Sequence, residues 1–216
     1  MKHKFSAADS FYDRMCADYT LKYRDAGTYC TQNMKISAYR IENLGNVCII
    51  RVSGSFGKMT ESAVVTPLGK DAPVFMMDRV KTLGKDTLSL NILQANLSRL
   101  YYRQFLNASE NYGKLPDVSP SGRWYQDLLI QGSVTKDIKG NEAAAGSMIE
   151  EYLDAYIKVM EFAERCLPAS KAVKIAEISE QFMESGSESA AFAKKAMGPE
   201  KAEQFFSKVL FAEELS

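Results

Sequence analysis

Apolar and polar positions alternate with a period of two in the first half of the chain, and short turn sequences separate the alternating runs. Successive side chains of a strand point to opposite faces, so this pattern predicts β-strands. The predicted strands span residues 33–42, 46–55, 59–66, 73–82 and 87–93. Because the turns between them are short, we expect an antiparallel meander rather than alternating βαβ units.

The predicted strand 73–82 carries one carboxylate on an apolar face. Val74, Met76, Asp78 and Val80 point one way, and Phe75, Met77, Arg79 and Lys81 point the other. Burying an ionised, unpaired carboxylate is costly, so Asp78 needs a partner or must hold its proton. A protonatable carboxylate in an apolar pocket suits general acid catalysis. The alternative is structural, because Asp78 could instead end the strand, cap a turn or pair with Arg79 at an edge.

The second half of the chain follows a helical period. The predicted helices are an N-terminal one over residues 5–24 and five later ones over 97–110, 142–167, 170–184, 188–197 and 199–212. Residues 111–122 form a predicted loop, and 123–138 around Trp124 give no assignable pattern. We therefore expect a single α+β domain over residues 1–216, with the sheet mostly in 30–95 and the helices mostly in 97–212.

Composition narrows the possible functions. Lys+Arg and Asp+Glu both number 27, so there is no basic excess of the kind that nucleic-acid binders carry. No apolar run approaches the roughly 20 residues that span a bilayer. The N-terminal residues lack the apolar core of a signal peptide, so we expect a cytoplasmic protein with neither nucleic acid nor membrane as a partner.

Several kinds of catalytic and metal site are excluded by the residues available. His3 is the only histidine, which rules out a Ser-His-Asp triad or a multi-histidine metal site. The spacing of Cys16, Cys30, Cys48 and Cys166 fits no metal or CxxC pattern, so we expect free thiols and no metal. No glycine-rich phosphate loop is present.

Two stretches together resemble the ferredoxin-dependent bilin reductases. The first, Thr66-Pro-Leu-Gly-Lys-Asp-Ala-Pro-Val-Phe-Met-Met-Asp-Arg-Val, is similar to the central hairpin of that family, where a strand carries an aspartate facing the tetrapyrrole. The second runs from Ala190 to Phe211, and its Met197-Gly-Pro-Glu and Val209-Leu-Phe segments match the C-terminal signature of the family. Chlorophyll-catabolite reductases share this fold and are a neighbouring interpretation of the same resemblance.

The resemblance implies a fold, a reaction and a set of partners. The fold is a three-layer α/β/α sandwich with a central, mostly antiparallel sheet flanked by helices. The reaction is reduction of an open-chain tetrapyrrole, a bilin, with external reduced ferredoxin as electron donor and no cofactor bound by the protein itself. The bilin lies between the sheet and the C-terminal helices, and Asp78 donates a proton to it. We expect a monomer.

The resemblance also places further site residues, several of which depart from the family pattern. Val74 and Met76 are placed against the substrate, and Met76 stands where the family usually has glycine. Glu61, seventeen residues before Asp78, stands where some members carry a histidine that works with the aspartate, so it is a candidate second catalytic carboxylate or a solvated loop residue. Ser187 replaces a second aspartate, with Glu188 next to it in the substrate region.

The departures leave two functions open. One is a bilin reductase, for which Lys70, Arg79, Lys81 and Lys85 would form a docking face for an acidic ferredoxin or else an ordinary solvated surface. The other is a tetrapyrrole-binding carrier or sensor of the same fold that has lost the proton chemistry. The many aromatic and methionine residues suit a flat apolar ligand, although the same residues also fill ordinary cores.

Overall fold

The computed structural model describes residues 5–95, 103–119, 125–184 and 188–212. Seven strands form one antiparallel sheet in which every strand pairs with its neighbour in sequence. The strands are β1 (Leu21–Arg24), β2 (Met34–Ile41), β3 (Gly45–Ser53), β4 (Met59–Pro67), β5 (Val74–Lys81), β6 (Asp86–Leu93) and β7 (Val134–Asp137). The helices are α1 (Ala7–Asp18), α2 (Arg103–Glu110), α3 (Glu142–Phe162), α4 (Pro168–Glu184), α5 (Glu188–Met197) and α6 (Pro199–Phe205), and a π-helical turn (Phe206–Leu210) follows α6.

Helices cover both faces of the sheet, so the expected three-layer sandwich is confirmed. On one face, α1, α2 and α3 bury a core that includes Phe11, Phe105 and Tyr156. On the other face, α4, α5, α6 and the π-helical turn bury a second core that includes Ile178 and Phe205. The central strands are apolar on both faces because both cores need their side chains.

Residues suited to tight turns connect the strands of the antiparallel meander. Between β2 and β3 the chain turns through Asn43, which has a left-handed φ of 59°, a conformation that asparagine tolerates. A Cβ on Gly45, the next strand's first residue, would lie 2.0 Å from the Thr66 carbonyl oxygen, so this position requires glycine. The β5–β6 hairpin closes with Thr82 N–H donating to the Lys85 carbonyl.

The structure corrects two of the predicted helices. The predicted helix 5–24 divides into α1 and strand β1, because the chain becomes extended at Tyr19 and pairs with β2. The predicted helix 142–167 stops at Phe162, and Pro168 begins α4 instead of following a helix, since proline is well suited to a first turn. Of the predicted helix 97–110, residues 97–102 lie outside the described part of the chain.

Candidate functional site: the Asp78 face of the sheet

Asp78 lies on the sheet face that the C-terminal helices cover, at the rim of that cover. Along β5 on this face, Val74 is fully buried, Met76 is 7% exposed, Asp78 is half-buried and Val80 is 41% exposed. Val74 and Met76 pack in the same core as α4, α5 and α6. The alternation of β5 therefore places Asp78 where the covered part of this face meets the open part.

A row of polar side chains crosses the sheet through Asp78. Strand register pairs Ser62 of β4 with Asp78, Asp78 with Ser89 of β6, and Ser89 with Thr135 of β7. The Ser62 hydroxyl donates a 2.6 Å hydrogen bond to Asp78 Oδ1, and the Thr135 hydroxyl donates a 3.1 Å bond to Ser89 Oγ. We call Ser62, Asp78, Ser89 and Thr135 the polar row. Ser89 and Thr135 of this row are buried from solvent.

The next row towards the covered end of the face is mostly apolar. It contains Cys48, Val64, Met76 and Asn91, and the Asn91 side-chain amide donates a 3.2 Å bond to the Tyr125 hydroxyl. Burial raises the pKa of the Cys48 thiol to about 12, so this cysteine stays protonated and is not a nucleophile at neutral pH.

The C-terminal segment brings aromatic rings to this core. The rings of Phe182 and Phe206 meet edge to face with centroids 4.7 Å apart, and Phe182 also contacts Phe211 at 5.8 Å. The ring centroids of Phe205 and Tyr29 lie 5.6 Å apart. Aromatic side chains and a small set of placed polar groups are the usual lining of a site for a flat organic ligand.

Glu61 lies on the opposite face of the sheet from Asp78. Register pairs Glu61 with Arg79, one residue out of phase with the Ser62–Asp78 pair. Its carboxylate accepts hydrogen bonds from the Ser6 hydroxyl at 2.6 Å and from the Ala7 backbone N–H at 3.0 Å. The structure does not bring the two carboxylates together, so the expectation that Glu61 works beside Asp78 does not fit its placement.

Arg79 is the centre of a buried ionic network on this opposite face. It binds Asp86 through two hydrogen bonds of 2.9 and 2.8 Å, contacts Glu61 at 3.3 Å and donates to the Phe5 carbonyl at 3.0 Å. Burial alone would raise the pKa of Asp86, but the hydrogen bonds and charge of Arg79, aided by Lys81, lower it overall.

This network corrects the expected docking face. Arg79 is fully buried and cannot meet a partner protein. Lys70 precedes β5 and donates to the Ala163 carbonyl, whereas Lys81 and Lys85 lie at the far end of the strand, roughly 20 Å away at about 3.3 Å per residue. The four cations therefore do not form one cluster.

Two of the predicted substrate-region residues fall where little is described. Ser187 lies outside the described residues. Glu188 is the first residue of α5, and its side chain is not described.

Sequence reasoning did not find the hydroxyls of the polar row, nor Lys171. The row could have been found by continuing the strand alternation from Asp78 to its register neighbours. Lys171 of α4 is fully buried and donates hydrogen bonds to the carbonyls of Ala72 and Ala95, with Asp71 at 3.6 Å. Burial, only partly offset by Asp71, lowers the pKa of Lys171 to about 8. It ties α4 to the start of β5 and the end of β6.

The described part of the chain contains no group of three His, Cys, Asp or Glu residues that could hold a metal ion. Among the same residues, no helix is both long enough and apolar enough to cross a bilayer.

Comparison with known proteins gives a likeness in structure only. No protein-family model matches the chain, and no curated protein matches it in sequence. The structure is similar to the crystal structure of phytochromobilin synthase from tomato in complex with biliverdin, with a TM-score of 0.67 over 96% of this chain and 80% of that chain. The two proteins share this fold. Their sequence identity is 11%, so the likeness extends to the fold and not to the site chemistry.

Proposed function

We propose that this protein is an oxidoreductase that reduces an open-chain tetrapyrrole, with ferredoxin as electron donor and Asp78 as proton donor. The observation that carries the proposal is the position of Asp78. It is a half-buried carboxylate at the rim of an apolar sheet face, opposite helices rich in aromatic side chains. The protein from tomato that shares this fold is in complex with biliverdin.

In the proposed reaction the bilin takes up the electrons and the protein supplies a proton. The bilin accepts two electrons, one at a time, from two reduced ferredoxin molecules, and it takes up two protons. At a protonation step the O–H bond of the Asp78 carboxylic acid breaks, a new bond to hydrogen forms on the reduced bilin, and the Asp78 carboxylate remains. A positioned acid of this kind typically contributes 10²- to 10⁴-fold to the rate.

The end of the sheet nearest Asp78 offers a surface for the electron donor. Lys58 and Lys85 are exposed there, whereas Lys81, in strand register with Met59, forms ion pairs with Asp86 and Glu142. Phe56 and Leu83 at the adjoining turns are both more than 80% exposed. A basic surface with exposed apolar side chains favours an acidic protein partner such as ferredoxin.

The test is reduction of biliverdin by the Asp78→Asn variant in the presence of reduced ferredoxin. We expect the rate to fall by at least about 100-fold, because asparagine cannot donate the proton, while affinity for biliverdin changes little. Asp13→Asn, an equal substitution at an exposed position on α1, is the matched control and should react like the unsubstituted protein. Wild-type rates in Asp78→Asn would contradict the assignment.

A tetrapyrrole-binding protein without catalysis is the second candidate. It is favoured by the placement of Glu61 on the opposite face, which leaves Asp78 without the helper carboxylate, and by buried Met76 beside the polar row. In that case biliverdin binds the unsubstituted protein and shifts its absorption band, but reduced ferredoxin produces no further spectral change.

A further inference from the structure

Asp78 is surrounded on the sheet by side chains that carry no charge. Strand register places Ser62 and Ser89 directly opposite Asp78. Met76 and Val80 lie two residues away along β5 on the same face. The diagonal neighbours on β4 and β6 are Thr60, Val64, Thr87 and Asn91. On these three strands, which the structure describes in full, no side chain around Asp78 titrates, so the sheet offers its carboxyl group hydrogen bonds and not ion pairs.

Ser62 contacts Asp78 directly. Its hydroxyl donates to Asp78 Oδ1 over 2.6 Å, a length within the range of about 2.5–2.7 Å that is usual when a hydroxyl donates to a charged oxygen. An ionised carboxylate can only accept hydrogen bonds, so this bond has one possible direction once Asp78 has lost its proton. Because β4 pairs with β3 on one side and β5 on the other, the backbone holds Ser62 beside Asp78.

The strength of this hydrogen bond depends on the charge of Asp78. A hydrogen bond to an ionised oxygen is about twice as strong as one to a neutral oxygen. Negative charge develops on Asp78 as its O–H bond breaks, so the bond from Ser62 is stronger in the transition state than in the bound acid. An interaction that strengthens only as charge develops lowers the barrier to proton transfer without tightening the binding of substrate.

We infer that Ser62 is a positioning residue for the proton donor, an inference that rests on the proposed function. Its hydroxyl holds Asp78 Oδ1 and stabilises the carboxylate that remains after the bilin is protonated. Ser62 keeps its own proton throughout. The O–H bond of Asp78 breaks, a bond to hydrogen forms on the reduced bilin, and no other bond changes in this step. Ser62 thus has, on the face of Asp78, the helper role first predicted for Glu61, the residue before it.

The first test needs neither bilin nor ferredoxin. Carbon-13 NMR of the aspartate carboxyl carbons follows their titration, and the Asp78 signal is the one that Asp78→Asn removes. We expect the pKa of Asp78 to be higher in Ser62→Ala than in the unsubstituted protein, because its carboxylate loses a hydrogen-bond donor. Ser62→Thr keeps the hydroxyl and should restore the original titration. An unchanged titration in Ser62→Ala would overturn the inference.

The second test is biliverdin reduction with reduced ferredoxin. We expect turnover by Ser62→Ala to fall about tenfold at unchanged affinity for biliverdin, and Ser62→Thr to retain it. The loss of rate at alkaline pH, where Asp78 has no proton to donate, should move to higher pH in Ser62→Ala. Ser37 of β2 is half-buried like Ser62 but faces the other core, so Ser37→Ala is the matched control and should react like the unsubstituted protein.

The two tests separate this inference from the proposed function. Full turnover by Ser62→Ala, or a fall in rate that comes with an equal loss of biliverdin affinity and no change in the pH profile, would refute a positioning role. If the unsubstituted protein binds biliverdin without reducing it, the proposed oxidoreductase function fails. The titration of Asp78 then still decides whether Ser62 controls its charge.

Discussion

Asp78 and Arg79 are neighbours on β5, but they lie on opposite faces of the sheet in different electrostatic surroundings. Asp78 sits among hydroxyls at the rim of one sheet face, where a proton can be exchanged. Arg79 is enclosed on the other face by the carboxylates of Asp86 and Glu61. Burial of a charge is tolerated only with such partners, so the Arg79 network is structural, whereas the surroundings of Asp78 suit chemistry.

The Glu61→Gln variant tests whether Glu61 has a structural role or a catalytic one. Glutamine keeps the size of the side chain but removes the charge that faces Arg79 and weakens the acceptors for Ser6 and Ala7. We expect biliverdin reduction to be unchanged and the free energy of unfolding to fall by about 1–3 kcal/mol, the usual cost of an impaired buried polar interaction. Urea denaturation and the ferredoxin-coupled assay measure the two effects. A loss of reduction as large as in Asp78→Asn would return Glu61 to a catalytic role.

The register between β4 and β5 explains why sequence reasoning misplaced Glu61. Alternation within β5 correctly separated Asp78 from Arg79. The loop between Pro67 and Val74, however, does not reveal which β4 residue lies opposite Asp78, and a shift of one residue moves a side chain to the other face. The same limit put Arg79 on an expected docking surface, because its two carboxylate partners become visible only once the strands are paired.

At the scale of elements, the long alternating runs and the turn residues were enough to predict five strands and their antiparallel order. The four-residue strands β1 and β7 were missed. Such short segments carry too few alternations to show a period, and they are held by pairing with β2 and β6 rather than by their own pattern. Helices α3 and α4 were predicted because their apolar stripes are long.

Lys171, a buried cation, attaches α4 to the sheet. The stability of the folded protein should therefore depend on pH. Lys171 has a pKa of about 8 in the folded protein and an ordinary value of 10.5. The unfolded chain therefore holds this proton at a pH where the folded protein has released it. Below pH 8 both states are charged and folding bears the desolvation cost. As pH rises from about 8 to 10.5, this cost is relieved and stability increases.

Lys171→Met tests this dependence. We expect the free energy of unfolding of the unsubstituted protein, relative to that of Lys171→Met, to rise by about 3 kcal/mol between pH 8 and 10.5. Burial raises the pKa of Cys48 to about 12, which lowers the stability of both proteins above pH 9 and cancels in the difference. Denaturation across this pH range measures it. A difference that stays constant with pH would show that folding does not lower the pKa of Lys171.

At the scale of the whole molecule, the sandwich makes its two sheet faces unequal. On one face, α1, α2 and α3 cover an apolar core, and the buried ionic network of Arg79 lies at its edge. The other face is covered by the C-terminal helices and becomes exposed along β5 from Met76 to Val80. A ligand bound at that rim would contact Asp78, where the covered part of this face meets the open part.

Binding of a bilin at this face is the central claim, and titration with biliverdin tests it most directly. The measurement is circular dichroism in the visible absorption bands of biliverdin, where the protein itself does not absorb. We predict an induced signal that saturates at one biliverdin per chain, because a single chiral site imposes one twist on the flexible tetrapyrrole. The absence of an induced signal and of any shift in the absorption band, at biliverdin concentrations well above that of the protein, would contradict the account.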